Sequence, residues 1–432
     1  MKQRVPNGVR AWRLGALHVG ASVFLLMAAV TLVKTGRDAL YFQKDGIFDL
    51  PKAYLGIAIL SLPMALATLG LMRGVGPRRA RVAAPLIMAV VLIAFHGVVR
   101  PGSGPLMTAF FILVPLAFGV LFSVTWLLLP EVLHRTPPEQ VTRSYALVGT
   151  ASILGGVAGG ALARALAPWL EPQHLLLVGA AVLGASAAVI ALTHARFLGA
   201  STRAAARAPS REDFRCVLEH RYSFLLLAVG MTAAFAGVLI KFQFYLAAAA
   251  SGDAGRELTA FFGGFYMILN LVGLLVQIFL TPRIQRRIGV HGSLLIMPVA
   301  LLGGAGALLV NATLLTRSGL RLLEGGLKMS IHRSNWEQAY LPMSYAHRSA
   351  AKLLVDGMSV RIAEGLAATV LLLWLRFVGL STLRLGWMTV LLLVAISLWI
   401  GLTRLLRRSL APVASQARET DGMVLKLPLP DS

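Results

Sequence analysis

Cysteine is almost missing from this sequence, with Cys216 alone among 432 residues. No intrachain disulfide can form, and no cysteine cluster exists to hold a metal. Charge is scarce too, at 14% against about 25% in ordinary soluble domains. The shortfall is mainly acidic, with 18 acids against 41 bases. The nine histidines, among them His18, His96, His134, His174 and His332, show no metal-ligand spacing, and no Ser-His-Asp arrangement is legible. No catalytic residue is therefore assigned. An enzyme is not expected, nor a metal or other cofactor.

What the chain has in quantity is apolar sequence, 57% of all residues, with a mean hydropathy of +0.74. Runs of about 18 to 25 apolar residues recur along its length, long enough to cross about 30 Å of hydrocarbon. They predict an all-α polytopic membrane protein of twelve transmembrane helices. The expected spans are 15–36, 52–72, 82–99, 105–129, 142–168, 174–195, 222–248, 258–280, 291–313, 316–332, 350–375 and 382–404. Lys2, Arg4, Arg10 and Arg13 precede the first run, and no small-residue cleavage site follows it. That pattern reads as a retained helix rather than a signal peptide.

The net charge of +23 is distributed by loop. Loops after even-numbered spans hold Arg73, Arg78, Arg79 and Arg81, then Arg135 and Arg143, then Arg283, Arg286 and Arg287. Those around Asp45, Arg100, Trp169, Asp253, Asn311 and Phe377 are poor in bases. Positive charge stays on the cytoplasmic side during insertion, so both termini are expected in the cytoplasm of a bacterial inner membrane. The same distribution argues against nucleic acid as a partner and suits anionic lipid headgroups. No protein partner is identifiable.

Four segments follow. They are an N-terminal six-helix half (1–195), a basic cytoplasmic linker (196–221), a C-terminal six-helix half (222–404) and a cytoplasmic tail (405–432). The linker carries Arg196, Arg203, Arg207, Arg211, Arg215 and Arg221 around Pro209. The halves echo each other. "LMRGVGPRRARV" after the second span matches "LTPRIQRRIGV" after the eighth, and "LPEVLHRTPPEQVTRSYALVG" is echoed by "NWEQAYLPMSYAHRSAAKLLVDG". Parallel six-helix halves are the plan of the major facilitator superfamily.

Ionisable groups at membrane depth are costly unless paired or hydrated. In "VKTGRDALYF" Lys34 shares a helix face with Arg37 and Asp38, leaving a positive excess. Two readings stand: long stems snorkelling to the outer interface, or an anion-binding cavity. Lys241 occupies a comparable place in the seventh span, and cations mirrored in both halves would face a central cavity. Arg317, Arg321, Glu324 and Lys328 form a stripe in which Glu324 reaches Arg321 or Lys328. Asp356, Arg361 and Glu364 follow in the eleventh span, where internal salt bridges are the plainer explanation. Gly155, Gly156, Gly159 and Gly160 lack the lysine and strand of a phosphate loop and are read as a close helix contact. The sequon at Asn311 is too short to carry weight.

These motifs resemble the ATP/ADP translocase-type nucleotide transporters, related to the major facilitator fold. The likeness rests on Lys34, Arg37 and Asp38, on Glu131 in "LLPEVL", and on Glu337, Tyr340, Pro342, Lys352, Asp356 and Arg361. Lys34 stands where the family usually has arginine, and Trp336 where a lysine commonly precedes the glutamate. The resemblance implies a secondary transporter that exchanges an anionic small molecule, a nucleotide in its narrowest form, by alternating access. Lys34, Arg37, Lys241, Lys352 and Arg361 would bind the anion. Asp38, Glu131, Glu324, Asp356 and Glu364 would pair with them when the site is empty or take part in coupling. Two alternatives stay open: a proton-coupled carrier of a neutral or cationic solute, and a non-transporting membrane subunit.

Overall fold

The computed structural model describes residues 8–43, 46–99, 104–133, 136–197, 215, 217–252, 255–340, 343 and 351–409. Cys216, Pro342, His134, Arg135, Asp45, Arg100, Asp253, most of 196–221 and the tail beyond Ser409 lie outside them. Among the described residues every regular element is helical. They are α1 (Gly8–Phe42), α2 (Gly46–Val75), α3 (Pro77–Val98), α4 (Pro105–Trp126), the short α5 (Leu128–Val132), α6 (Pro138–Leu166) and α7 (His174–Phe197). Next come α8 (Arg221–Ala249), α9 (Arg256–Leu275), α10 (Thr281–Ser293), α11 (Ile296–Val310), α12 (Leu314–Leu327) and α13 (Arg333–Ala339). The last are α14 (Val360–Leu373) and α15 (Thr382–Arg408). Without water to satisfy backbone groups, helices are the structure such apolar runs must adopt in a bilayer.

Ten helices among the described residues are long and apolar enough to cross a membrane, two fewer than expected. The shortfall falls at 291–313 and 316–332, and its two causes differ. α11 is apolar but has 15 residues, about 22 Å at 1.5 Å per residue, short of about 30 Å of hydrocarbon. The next helix is long enough, running unbroken over 314–339. It carries Arg317, Arg321, Glu324 and Lys328 within its first turns, too much charge for an apolar span.

The chain divides into two compact units: Met1–Ala204 with Ala248–Leu274, and Ala205–Ala247 with Leu275–Ser432. In the first, α1 is the central helix. Val19 and Val23 of α1 pack with Leu128, Leu129, Val148 and Ile190, all buried. Further along, Leu32 meets Ala163 and Leu175.

The glycines of α6 serve two neighbours. Gly155 and Gly159 lie against the backbone of α1 at Phe24 and Ala28, whereas Gly156 and Gly160 face Asn270 and Met267 of α9. A Cβ on Gly160 would stand 2.6 Å from the Met267 nitrogen. Small residues therefore let α6 run in backbone contact with both helices, the driving force for packing inside lipid.

In the second unit α11 packs between α12 and α15. Tyr222 of α8 donates its hydroxyl to the Ala339 carbonyl at 2.7 Å, tying α8 to the end of α13. The two matched basic turns share a backbone feature: Gly76 has φ 86° and ψ 148°, Gly289 φ 69° and ψ 174°. Both lie in the left-handed region that favours glycine.

Candidate functional site

The first unit gathers the charges of α1. Arg37 and Asp38 are buried, 4% and 0% exposed, so Arg37 does not snorkel to water. Its guanidinium turns back onto its neighbour, with Nε 2.8 Å and Nη2 2.5 Å from Asp38 Oδ1. Tyr266 of α9 donates its hydroxyl to Asp38 Oδ2. Lys34, one turn earlier and half-buried, holds its Nζ 4.0 Å from the centre of the same tyrosine ring. The Arg37 guanidinium lies 3.9 Å from the centre of the Phe111 ring, on α4. A desolvated cation over an aromatic face gains about 2 kcal/mol. Two cations, one carboxylate and two rings therefore meet in this cluster.

Glu131 has a different partner. Arg81, at the start of α3 and 3% exposed along its side chain, grips the carboxylate with both arms at 2.6 and 2.5 Å. This fork joins the ends of α3 and α5.

The second unit holds a larger cluster. Glu324 of α12 is 2% exposed and pairs with Arg321, while Lys328 lies 3.8 Å away. It faces α8 at Gly237, where a Cβ would come within 3.4 Å of its Oε1. One turn further along α8, Lys241 has Lys328, Glu364, Glu324 and Arg321 as its charged neighbours. Glu364 of α14 accepts from Arg361 at 2.6 Å. Among the described residues no carboxylate comes within ion-pair distance of Lys241, because arginines hold both acids. Four cations against two anions leave this cluster positive.

The segment from Glu337 onward splits between two places. Lys352 pairs with Glu337, both about half exposed. Asp356 accepts from Trp336 Nε1 at 2.7 Å and from the Tyr340 hydroxyl at 2.8 Å, both on Oδ1. Arg361 belongs instead with Glu364 and Lys241. Trp336 thus supplies Asp356 with a neutral donor. Four π-helical turns occur among the described residues, at Val276–Leu280, Lys328–His332, Leu353–Ser359 and Trp374–Val378. Such turns gather at functional sites, and two of these contain Lys328 and Asp356.

Phe111, Tyr266, Arg81 and Trp336 complete these clusters and are not among the site residues expected from the sequence. Arg81 had a signal in its basic turn, and Trp336 in its place beside Glu337 in the family-like segment. Aromatic residues inside apolar spans have none.

No protein-family model matches the chain, and no curated protein does. Among solved structures, it is similar to a bacterial homologue of the human lysosomal transporter Spinster in an inward-facing, unoccupied conformation. That likeness has TM-score 0.61 at 13% identity, over 94% of this chain and 99% of the other. The nucleoside transporter NupG gives TM-score 0.64 at 12%, over 92% and 98%, and a bacterial metal transporter 0.61 at 12%, over 91% and 98%. At such identities the likeness carries the fold alone. The chain is an all-α polytopic membrane protein of broadly major facilitator fold.

Proposed function

We propose that this protein is a secondary transporter of an anionic metabolite, working by alternating access in a bacterial inner membrane with both termini cytoplasmic. The observation that carries the reading is Lys241, half-buried on an apolar helix with no carboxylate in ion-pair reach among the described residues. A buried positive excess is unfavourable unless an anion completes it. Lys34 over the Tyr266 ring and Arg37 on Asp38 bring two further cations together in the other unit, which supports the same charge preference. Nucleotide exchange is the narrower form, supported by the family-like run from Glu337 to Arg361. The fold does not choose the cargo, since it is shared with a nucleoside transporter and a metal transporter. In this reading α11 and the charged helix over 314–339 also cross the membrane, giving twelve spans in two halves of six.

Uptake of labelled ATP, ADP and inorganic phosphate into proteoliposomes tests this. Lys241→Ala and Lys34→Ala should each lower uptake about 10- to 100-fold, the worth of one charge-assisted contact. Absence of uptake for every anion, or mutants equal to wild type, overturns it.

A further inference from the structure

Membrane-depth carboxylates in this protein are held in two ways. Asp38, Glu324 and Glu364 each receive a guanidinium, from Arg37, Arg321 and Arg361. Glu131 receives both arms of Arg81. Protonating a carboxylate held so would leave its arginine without a counter-charge. Asp356 is the exception. Its two donors, the Trp336 indole and the Tyr340 hydroxyl, are neutral and bond the same oxygen. Among the described residues Oδ2 accepts nothing, so a proton can settle there without breaking either bond.

The surrounding charges do not alter this. Among the described residues Lys352 and Glu337 are the charged groups that act on Asp356, and they neutralise each other in a direct pair. His332 stacks on Trp336, ring centres 5.5 Å apart, and stands nearly perpendicular to Trp399. On the α8 side Gly230 meets Trp336 and Val355, with no charge. Asp356 itself lies in the π-helical turn Leu353–Ser359, where the backbone ladder is loosened.

We propose that Asp356 is the proton-coupling residue, taking a proton from water on Oδ2 and returning it as the turn rearranges. Transport of the anion is then linked to a proton. The coupling rests on the transport reading. The proton site does not.

The test therefore has two arms. In the first, the purified full chain is titrated with pH in infrared difference spectroscopy, reading the carbonyl stretch of a protonated carboxyl. Among the carbonyl bands of all the titrating acids, wild type should show a component that is absent in Asp356→Asn and kept in Glu171→Gln. Trp336→Phe and Tyr340→Phe each remove a donor to the ionised form and should raise the midpoint by about one pH unit. Identical titrating bands in wild type and Asp356→Asn overturn the assignment. If Asp356→Asn does not fold, unmoved midpoints in both donor variants do the same.

In the second arm, proteoliposomes are given labelled ATP with and without an inward proton gradient. Wild type should be stimulated, whereas Asp356→Asn should lose the stimulation and keep ATP/ADP exchange. Stimulation that survives in Asp356→Asn refutes the coupling. Failure of wild type to move ATP counts against nucleotide as cargo and leaves the infrared result to decide the proton site.

Discussion

Asp38 illustrates what a charge at membrane depth demands, with one oxygen on Arg37 and the other on a tyrosine 228 residues away. Tyr266→Phe removes that hydroxyl donor and keeps the ring under Lys34. The loss should be about 1 to 3 kcal/mol, read as a lower thermal midpoint in detergent. Tyr266→Leu also removes the aromatic face and should fall further, by up to about 2 kcal/mol. A Phe variant as stable as wild type would show that the bond contributes nothing. The sequence made Lys34, Arg37 and Asp38 conspicuous because charge is rare in an apolar helix. Tyr266 and Phe111 were invisible for the opposite reason, since aromatic side chains are ordinary in such helices and only contact reveals which of them a cation rests on.

At the scale of helices, the four glycines of α6 were read as one close contact, and they are two. Residues 155 and 159 face α1, and residues 156 and 160, one step round the helix, face α9. Gly160→Ala should destabilise the folded protein by about 1 to 3 kcal/mol, because the new methyl meets backbone that cannot yield locally. Gly184→Ala on α7 is the control. Nothing lies within 4 Å of its Cβ position, so it should be neutral or add up to about 1 kcal/mol. Thermal unfolding in detergent separates the two, and equal midpoints would deny the close contact. The π-helical turns were not legible at all. A single inserted residue per turn leaves apolar periodicity nearly unchanged, and its placement depends on the neighbours that relieve the strain.

For the whole molecule, the charge bias of the loops makes a prediction independent of any cargo. Cys216 should resist a membrane-impermeant thiol reagent applied outside intact cells and react once the membrane is opened. Trp169→Cys in a Cys216→Ser background should label from outside, since Trp169 is 77% exposed in a base-poor loop. The reverse pattern would invert the topology. Helical class and nearly all of the spans were determined by the sequence itself, because lipid offers no partner for backbone polar groups and apolar runs of crossing length have one solution. The sequence also marked where charge enters the membrane. What only the tertiary structure decided is which charge answers which. It set Glu131 on Arg81, Glu337 on Lys352 and Glu364 on Arg361, and among the described residues left Lys241 and Asp356 without an opposite charge in direct contact. Pairing depends on distances between helices far apart in the chain, and periodicity along one helix carries no record of them.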